Sequence, residues 1–216
     1  MFDKKNLKAA LRLYAVTDNA WLGERTLASC VEEALEGGAT FVQLRHKGAD
    51  GDMLRTEAAE LLALCRAAGV PFVVNDEVEV ARAAGADGVH VGQDDMACER
   101  ARALLGPEAI VGVSVQTPAQ ARAAEAAGAD YLGVGGVAGT ATKPEAGVLS
   151  PEEFRAIAAA VNIPIVAIGG INGDTLPLLA DLNVDGAAVV SAIFAADDIA
   201  AATRELSRII DEVLPR

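Results

Sequence analysis

AAGADGVHV at residues 83–91 and AAGADYLGV at 126–134 are two copies of one phrase, and EGGATFVQL at 36–44 and LNVDGAAVV at 182–190 are looser ones. In each copy a helical pattern stops near Gly or Asn, and about two residues later a β-branched run begins. A Gly just past the last helical turn accepts the left-handed conformation that ends a helix, so the repeat has a physical cause. Between the copies lie GVPFVVN at 69–75, PEAIVGVS at 107–114 and NIPIVAIGG at 162–170.

Working outward from these phrases, apolar runs predict strands near 12–16, 40–44, 72–75, 87–91, 110–113, 130–134, 164–168 and 186–190. Helical patterns fall near 26–37, 51–68, 77–84, 97–105, 118–127, 151–161, 174–182 and 197–213. The strands are short and apolar, as expected where both faces of a parallel sheet are covered. Strict alternation over this length predicts an α/β fold, a single-domain (β/α)8 TIM barrel over residues 1–216, against a doubly wound open sheet as the competitor.

The composition agrees with a compact chain. Of 216 residues, 52% are hydrophobic but only 4% aromatic, so the core is built from Ala, Val, Leu and Ile. A formal charge of −13 opposes non-specific binding to nucleic acid or to an anionic membrane. The N-terminal MFDKKNLKAALRLYAVTD lacks an apolar stretch of signal-peptide length, and the uncharged run 156–173 is broken by Asn162, Pro164, Gly169, Gly170 and Asn172. Cys30, Cys65 and Cys98 are far apart and lie in helical patterns, which predicts buried free thiols and a reducing, cytoplasmic location.

In a parallel barrel the functional residues stand at the C-terminal strand ends. Read in order, those ends carry Thr17-Asp18, then Gln43, Arg45 and Lys47, then Asn75-Asp76, then His90, Gln93 and Asp95, then Ser114 and Gln116. A period of two puts Gln43, Arg45 and Lys47 of QLRHK on one face. Cations converging there on so acidic a chain suit an anionic ligand such as phosphate; the plainer reading is a salt-bridged strand end. Asp76 and Asp95 end adjacent strands. Carboxylates with no His or Cys cluster suit a hard cation such as Mg²⁺, and capping of the following helices is the equal alternative. The long loop GVGGVAGTATKPEAGVLS (133–150) matches neither a dinucleotide fingerprint nor a Walker A motif, yet Thr140, Thr142 and Lys143 could close over phosphates or simply belong to a flexible linkage. GGIN at 169–172 and VVSAI at 189–193 occupy the two strand ends where barrels commonly bind phosphate. His90 reads first as a hydrogen-bonded histidine inside the barrel, and with two histidines in the chain a multi-histidine metal site is excluded.

Together YAVTD, QLRHK, ND, DGVHVGQDD, GVS, the TATK loop, IGGIN and VVSAI resemble, in order and approximate spacing, the thiamine phosphate synthase family, from Tyr14 to Ile193. The resemblance implies a transferase that joins 4-amino-5-hydroxymethyl-2-methylpyrimidine diphosphate to a thiazole phosphate. It also implies that Gln43, Arg45, Lys47, Asn75, Ser114 and Lys143 contact the pyrimidine diphosphate and that Asp76 and Asp95 hold Mg²⁺. Thr140, Thr142, Gly170, Val190 and Ser191 would meet the thiazole phosphate. No acid or base is assigned, the partners are small phosphorylated molecules, and assembly into homo-oligomers is compatible with the family. Two departures stand out: Gln116 where many relatives carry His, and Gly135-Gly136 where many carry Gly-Pro, which should loosen the loop. The alternatives are a thiazole tautomerase on the same fold, for which the His at the position of Gln116 is a proposed acid–base group, and a non-catalytic thiamine-phosphate-binding barrel.

Overall fold

The computed structural model describes residues 2–138 and 148–214. Strands β1 (Leu13–Val16), β2 (Phe41–Leu44), β3 (Phe72–Asn75), β4 (Gly88–Val91), β5 (Ile110–Val115), β6 (Tyr131–Gly135), β7 (Ile165–Ile168) and β8 (Gly186–Val189) pair in parallel, each with the next. The ring closes where Tyr14 of β1 pairs with Ala188 of β8, so the open sheet is excluded. Short α1 (Leu7–Ala10) precedes β1. The other helices are α2 (Leu27–Glu36), α3 (Gly51–Ala68), α4 (Val78–Ala84), α5 (Cys98–Leu105), α6 (Pro118–Ala126), α7 (Pro151–Ala158), α8 (Ser191–Phe194) and α9 (Ile199–Val213).

The apolar side chains divide into two cores, as a closed barrel requires. Leu13, Ala15, Val42, Leu44, Phe72, Val74, Leu132 and Val134 face outward into the layer shared with the helices. Their alternate neighbours Tyr14, Val16, Phe41, Val73, Ile110, Tyr131, Val166 and Ala188 fill the interior, with Leu7 and Leu11 entering from the N-terminal end.

The repeated phrase does more than end helices. Gly38, Gly85 and Gly128 have φ of 101°, 70° and 88°, and Asn183, at the same place in the fourth copy, has φ 55°. Two residues further on stand Thr40, Asp87, Asp130 and Asp185. Each grips one residue of the preceding odd strand with two hydrogen bonds. The backbone N–H groups of Thr40, Asp87, Asp130 and Asp185 donate to the carbonyls of Leu13, Phe72, Val111 and Ile165 at 2.9, 2.9, 2.7 and 2.8 Å. Their side-chain oxygens accept the N–H of those same residues at 2.9, 3.1, 2.8 and 2.8 Å.

The N-terminal segment then binds the other oxygen of all three carboxylates. The Phe2 N–H donates to Asp87 at 2.9 Å, Lys4 pairs with Asp130 at 2.7 Å and Lys8 with Asp185 at 2.9 Å. Residues 2–11 therefore form the floor of the barrel, a role the sequence reading did not give them.

The seventh crossover departs from expectation: 174–182 holds a 3-10 turn, Leu176–Leu179, instead of a helix. Asn172 accepts the N–H groups of Asp174 and Thr175, so the chain is still turning at 175, and Asn183 reverses it again. Between Thr175 and Asn183 the bonds span three residues, not four: the N–H groups of Leu178, Ala180 and Leu182 donate to the carbonyls of Thr175, Pro177 and Leu179 at 3.0, 3.4 and 3.1 Å. Leu176, Leu179 and Leu182 keep the three-residue spacing that a 3-10 turn buries on one side.

Cys30, Cys65 and Cys98 are free and buried. Burial, with Asp87 nearby, pushes the Cys65 thiol from 9.0 up to about 12. The unfolded chain loses this proton above pH 9, whereas the native state keeps it to about pH 12. Stability should therefore be unaffected by this thiol below pH 9 and should fall as pH rises from 9 toward 12. Urea unfolding across that range tests this, and Cys65→Ala should flatten the slope.

Asp130 accepts from Val111, Lys4 and Arg102, so Asp130→Ala leaves several donors unpaired. We expect a loss of about 3 kcal/mol. Lys8→Ala removes only a solvent-exposed pair and should cost under about 0.5 kcal/mol. The reverse order of urea midpoints, at constant m-value, would refute the clamp.

Candidate active site

Inward-facing positions turn from apolar to polar toward the C-terminal mouth. One pocket opens there, lined by Gln43, Arg45, Asn75, His90, Ser114 and Gln116 on one side and by Gly169, Gly170, Val190 and Ser191 on the other. The structure thus brings together, from five strand ends, Gln43, Arg45, Asn75, Ser114, Gly170, Val190 and Ser191. Thr140, Thr142 and Lys143 lie outside the described residues.

Arg45 is held rigidly. Thr17, fully buried at the end of β1, accepts the Arg45 N–H at 2.8 Å and donates its hydroxyl to the Arg45 carbonyl at 2.9 Å. Asp18 pairs with the guanidinium at 2.9 Å. The salt-bridged strand end and the pocket cation are one and the same residue. Lys47, by contrast, is exposed and outside the pocket lining. β2 stops at Leu44, so the alternation that grouped Lys47 with Gln43 and Arg45 ends before reaching it.

Asp76 adopts φ 61°, left-handed for a residue other than Gly, and its carboxylate accepts from the Asn75 amide at 2.5 Å. Asp95 is exposed and accepts the Gly92 N–H at 2.8 Å. Neither caps a helix. The N-cap positions of α4 and α5 are Glu77 and Ala97, and neither makes a side-chain cap bond, which removes the capping alternative. Neither Asp76 nor Asp95 is in the pocket lining, and their carboxylate oxygens are hard donors of the kind Mg²⁺ takes together with water and substrate oxygens. Among the described residues, no group of three or more His, Cys, Asp or Glu could hold a metal by protein ligands alone.

The polar side chains also connect beneath the pocket. The Gln43 amide donates to the Tyr14 hydroxyl, which meets the Tyr131 hydroxyl at 2.8 Å. Tyr131 in turn meets His90 Nδ1 at 2.9 Å, and His90 Nε2 meets Ser114 Oγ at 2.9 Å. Burial pushes both tyrosines far above their ordinary value of 10.0, so both stay protonated. His90 is the hydrogen-bonded barrel histidine the sequence suggested. The tyrosines were missed, although the chain has only two and both fall in strands at inward positions.

Beyond β6, the backbone does not come loose at once. Val137 and Ala138 donate to the carbonyls of Ile168 and Gly169 at 3.3 and 3.1 Å, and Leu149 donates to Gly136 at 3.0 Å. At Gly135-Gly136, where looseness was expected, the described backbone is tied to the end of β7. Gly170, at φ 68°, lies against the Ala138 carbonyl, 2.8 Å from where a Cβ would stand.

A closed parallel barrel with a polar pocket at its C-terminal mouth defines a barrel enzyme. The family model described as thiamine monophosphate synthase matches residues 13–193. A thiamine-phosphate synthase of Natronomonas pharaonis is 46% identical over 94% of this chain and 96% of its own length. Another, from Chloroflexus aurantiacus, is 48% identical over 92% of each. The solved thiamine phosphate pyrophosphorylase of Pyrococcus furiosus superposes with a TM-score of 0.89 at 42% identity, covering 97% of this chain and all of that one. The chain belongs to the thiamine monophosphate synthase family.

Gly170→Ala would force a side chain into a left-handed residue facing a carbonyl. We expect a loss of about 1–3 kcal/mol, read as a lower urea midpoint. Gly48→Ala, also at positive φ but with open space around it, should cost less.

Proposed function

We propose that the pocket joins 4-amino-5-hydroxymethyl-2-methylpyrimidine diphosphate to a thiazole phosphate, giving thiamine phosphate and pyrophosphate. With a carboxylated thiazole, CO2 would leave as well. The observation that carries this reading is one pocket walled from two sides by different chemistry. Gln43, Arg45, Asn75 and Ser114 offer side-chain donors and a cation, whereas Gly169, Gly170, Val190 and Ser191 offer backbone and a hydroxyl. Two phosphorylated ligands meeting head to head would use both walls.

In this reading the bond between the pyrimidine methylene carbon and the diphosphate oxygen breaks, and the diphosphate keeps the electron pair. The electron-rich aminopyrimidine stabilises the carbocation left behind. The thiazole nitrogen then donates its lone pair to that carbon. Arg45, pre-positioned by Thr17 and Asp18, would hold the leaving diphosphate, and the family resemblance adds Lys47 and Lys143 as further cations for it. Catalysis rests on positioning and on charge stabilisation of the leaving group. Asp76 and Asp95 would hold Mg²⁺, whose charge would offset that of the diphosphate. Gly170, Val190 and Ser191, with Thr140 and Thr142, would receive the thiazole phosphate. The tautomerase reading is the weaker one, because Gln116 has no ionisable group and its N–H is tied to Gln120 at 2.8 Å.

Purified protein with Mg²⁺ and both substrates should release thiamine phosphate and pyrophosphate in equal amounts. Asp76→Asn, which tolerates the left-handed backbone, and Asp95→Asn should each lower turnover by about 10²-fold or more with little change in the urea midpoint. Undiminished activity in EDTA would remove the metal from this reading. Saturable binding of thiamine phosphate without turnover would favour the non-catalytic barrel.

A further inference from the structure

We infer that the buried chain Gln43–Tyr14–Tyr131–His90–Ser114 is a single polarised hydrogen-bond relay that fixes which way Gln43 and Ser114 present their polar atoms to the pocket, with Tyr131 and His90 acting as positioning residues.

The polarity follows link by link. Gln43 Nε2 can only donate, so the Tyr14 oxygen accepts from it. The Tyr14 proton then points to its other partner, the Tyr131 oxygen. Tyr131 must therefore donate to His90 Nδ1, which leaves the neutral ring's proton on Nε2, aimed at Ser114 Oγ. With its oxygen accepting from His90, Ser114 has its own hydroxyl proton left to donate elsewhere. Reversing any one link would set two protons, or none, against each other at the next link, so the five groups keep or change direction together.

The fold makes room for this line. Gly112 has no side chain because the Tyr131 ring occupies that space, and a Cβ at Gly133 would stand 3.1 Å from the His90 ring. Tyr14 packs against Phe41 with ring centroids 4.4 Å apart, which fixes its tilt. Tyr131 is completely buried and outside the pocket lining, so it acts on a ligand only through its neighbours.

At the pocket, the relay offers a hydroxyl donor from Ser114 on β5 and an amide acceptor, Gln43 Oε1, on β2. An amino-substituted nitrogen heterocycle presents a ring nitrogen that accepts and an amino group that donates, and so matches both. This ligand assignment rests on the proposed function, whereas the proton arrangement does not.

Histidine-selective ¹⁵N labelling of the full chain reads the relay directly, since the protein has two histidines. His90 should be the Nε2–H tautomer with Nδ1 bare. Tyr131→Phe keeps the ring but removes the link, so His90 should populate both tautomers. The KM for the pyrimidine diphosphate should then rise about tenfold, the equivalent of one lost ligand hydrogen bond, while that for the thiazole phosphate stays within about twofold. Tyr14→Phe cuts the line between Gln43 and Tyr131 and removes the direction that Gln43 imposes, so His90 should populate both tautomers there too, and a tautomer that stays fixed in that variant would overturn the relay. An Nδ1–H tautomer in the unaltered protein, or Tyr131→Phe with an unchanged tautomer, would overturn the inference. Should no thiamine phosphate form at all, the functional reading fails and the tautomer measurement still decides the relay.

Discussion

The structure depends on four side chains that never approach the pocket. A closed parallel barrel tilts its strands, and this leaves N–H groups at the strand starts without a partner in the sheet. An unpaired buried N–H costs about 1–3 kcal/mol, and this barrel would carry four of them. Thr40, Asp87, Asp130 and Asp185 satisfy them from the neighbouring even strands. Because each grips both the N–H and the carbonyl of one residue, it also fixes register. A one-residue slip would turn every inward side chain outward, so these pairs decide which residues reach the mouth.

Floor and mouth then divide the work. At the floor, carboxylates are paired with Phe2, Lys4 and Lys8, and their chemistry is spent on holding the N-terminal segment. At the mouth the same inward period delivers Gln43, Asn75, His90 and Ser114. Between the two lie Tyr14, Phe41 and Tyr131, whose rings fill a barrel otherwise lined by Val, Ile, Ala and Gly. All three rings are apolar, and the two tyrosines add hydroxyls bonded to Gln43 and His90, which lets one layer serve both as core and as support for the polar groups above it.

The fold was legible because its repeat records backbone conformation. Gly or Asn recurs where φ is positive, and an Asp or Thr follows at the same offset, so the sequence pattern mirrors a geometric one. Gln43, Arg45, Asn75 and Ser114 were legible because strand alternation projects to the strand ends. Arg45 stays in line one residue beyond β2 because Thr17 ties both its N–H and its carbonyl, whereas Lys47 lies in the turn between His46 and Ala49, where the Ala49 N–H donates to the His46 carbonyl. The segment 174–182 misled because its composition is helical, but the bonds between Thr175 and Asn183 span three residues. The tyrosine relay was hidden because its partners come from five strands, and no single-chain spacing connects residue 14 to residue 131.

Charge raises a last question, how a chain of −13 would receive the anionic ligands of the proposed function. Long-range attraction is unavailable, and Arg45, the one described cation of the pocket lining, is already paired with Asp18. The pairing does not waste it. A guanidinium has five donors, and Asp18 and Thr17 hold one face and the backbone, so the remaining donors are fixed in direction before any ligand arrives. Ordering a free arginine on binding would cost about 1–2 kcal/mol of side-chain entropy, and here folding has already met that cost. A site arranged in this way selects by short-range geometry instead of by field. Under the proposed function that arrangement is apt, since the two ligands would differ in the position of each phosphate and each ring nitrogen more than in charge.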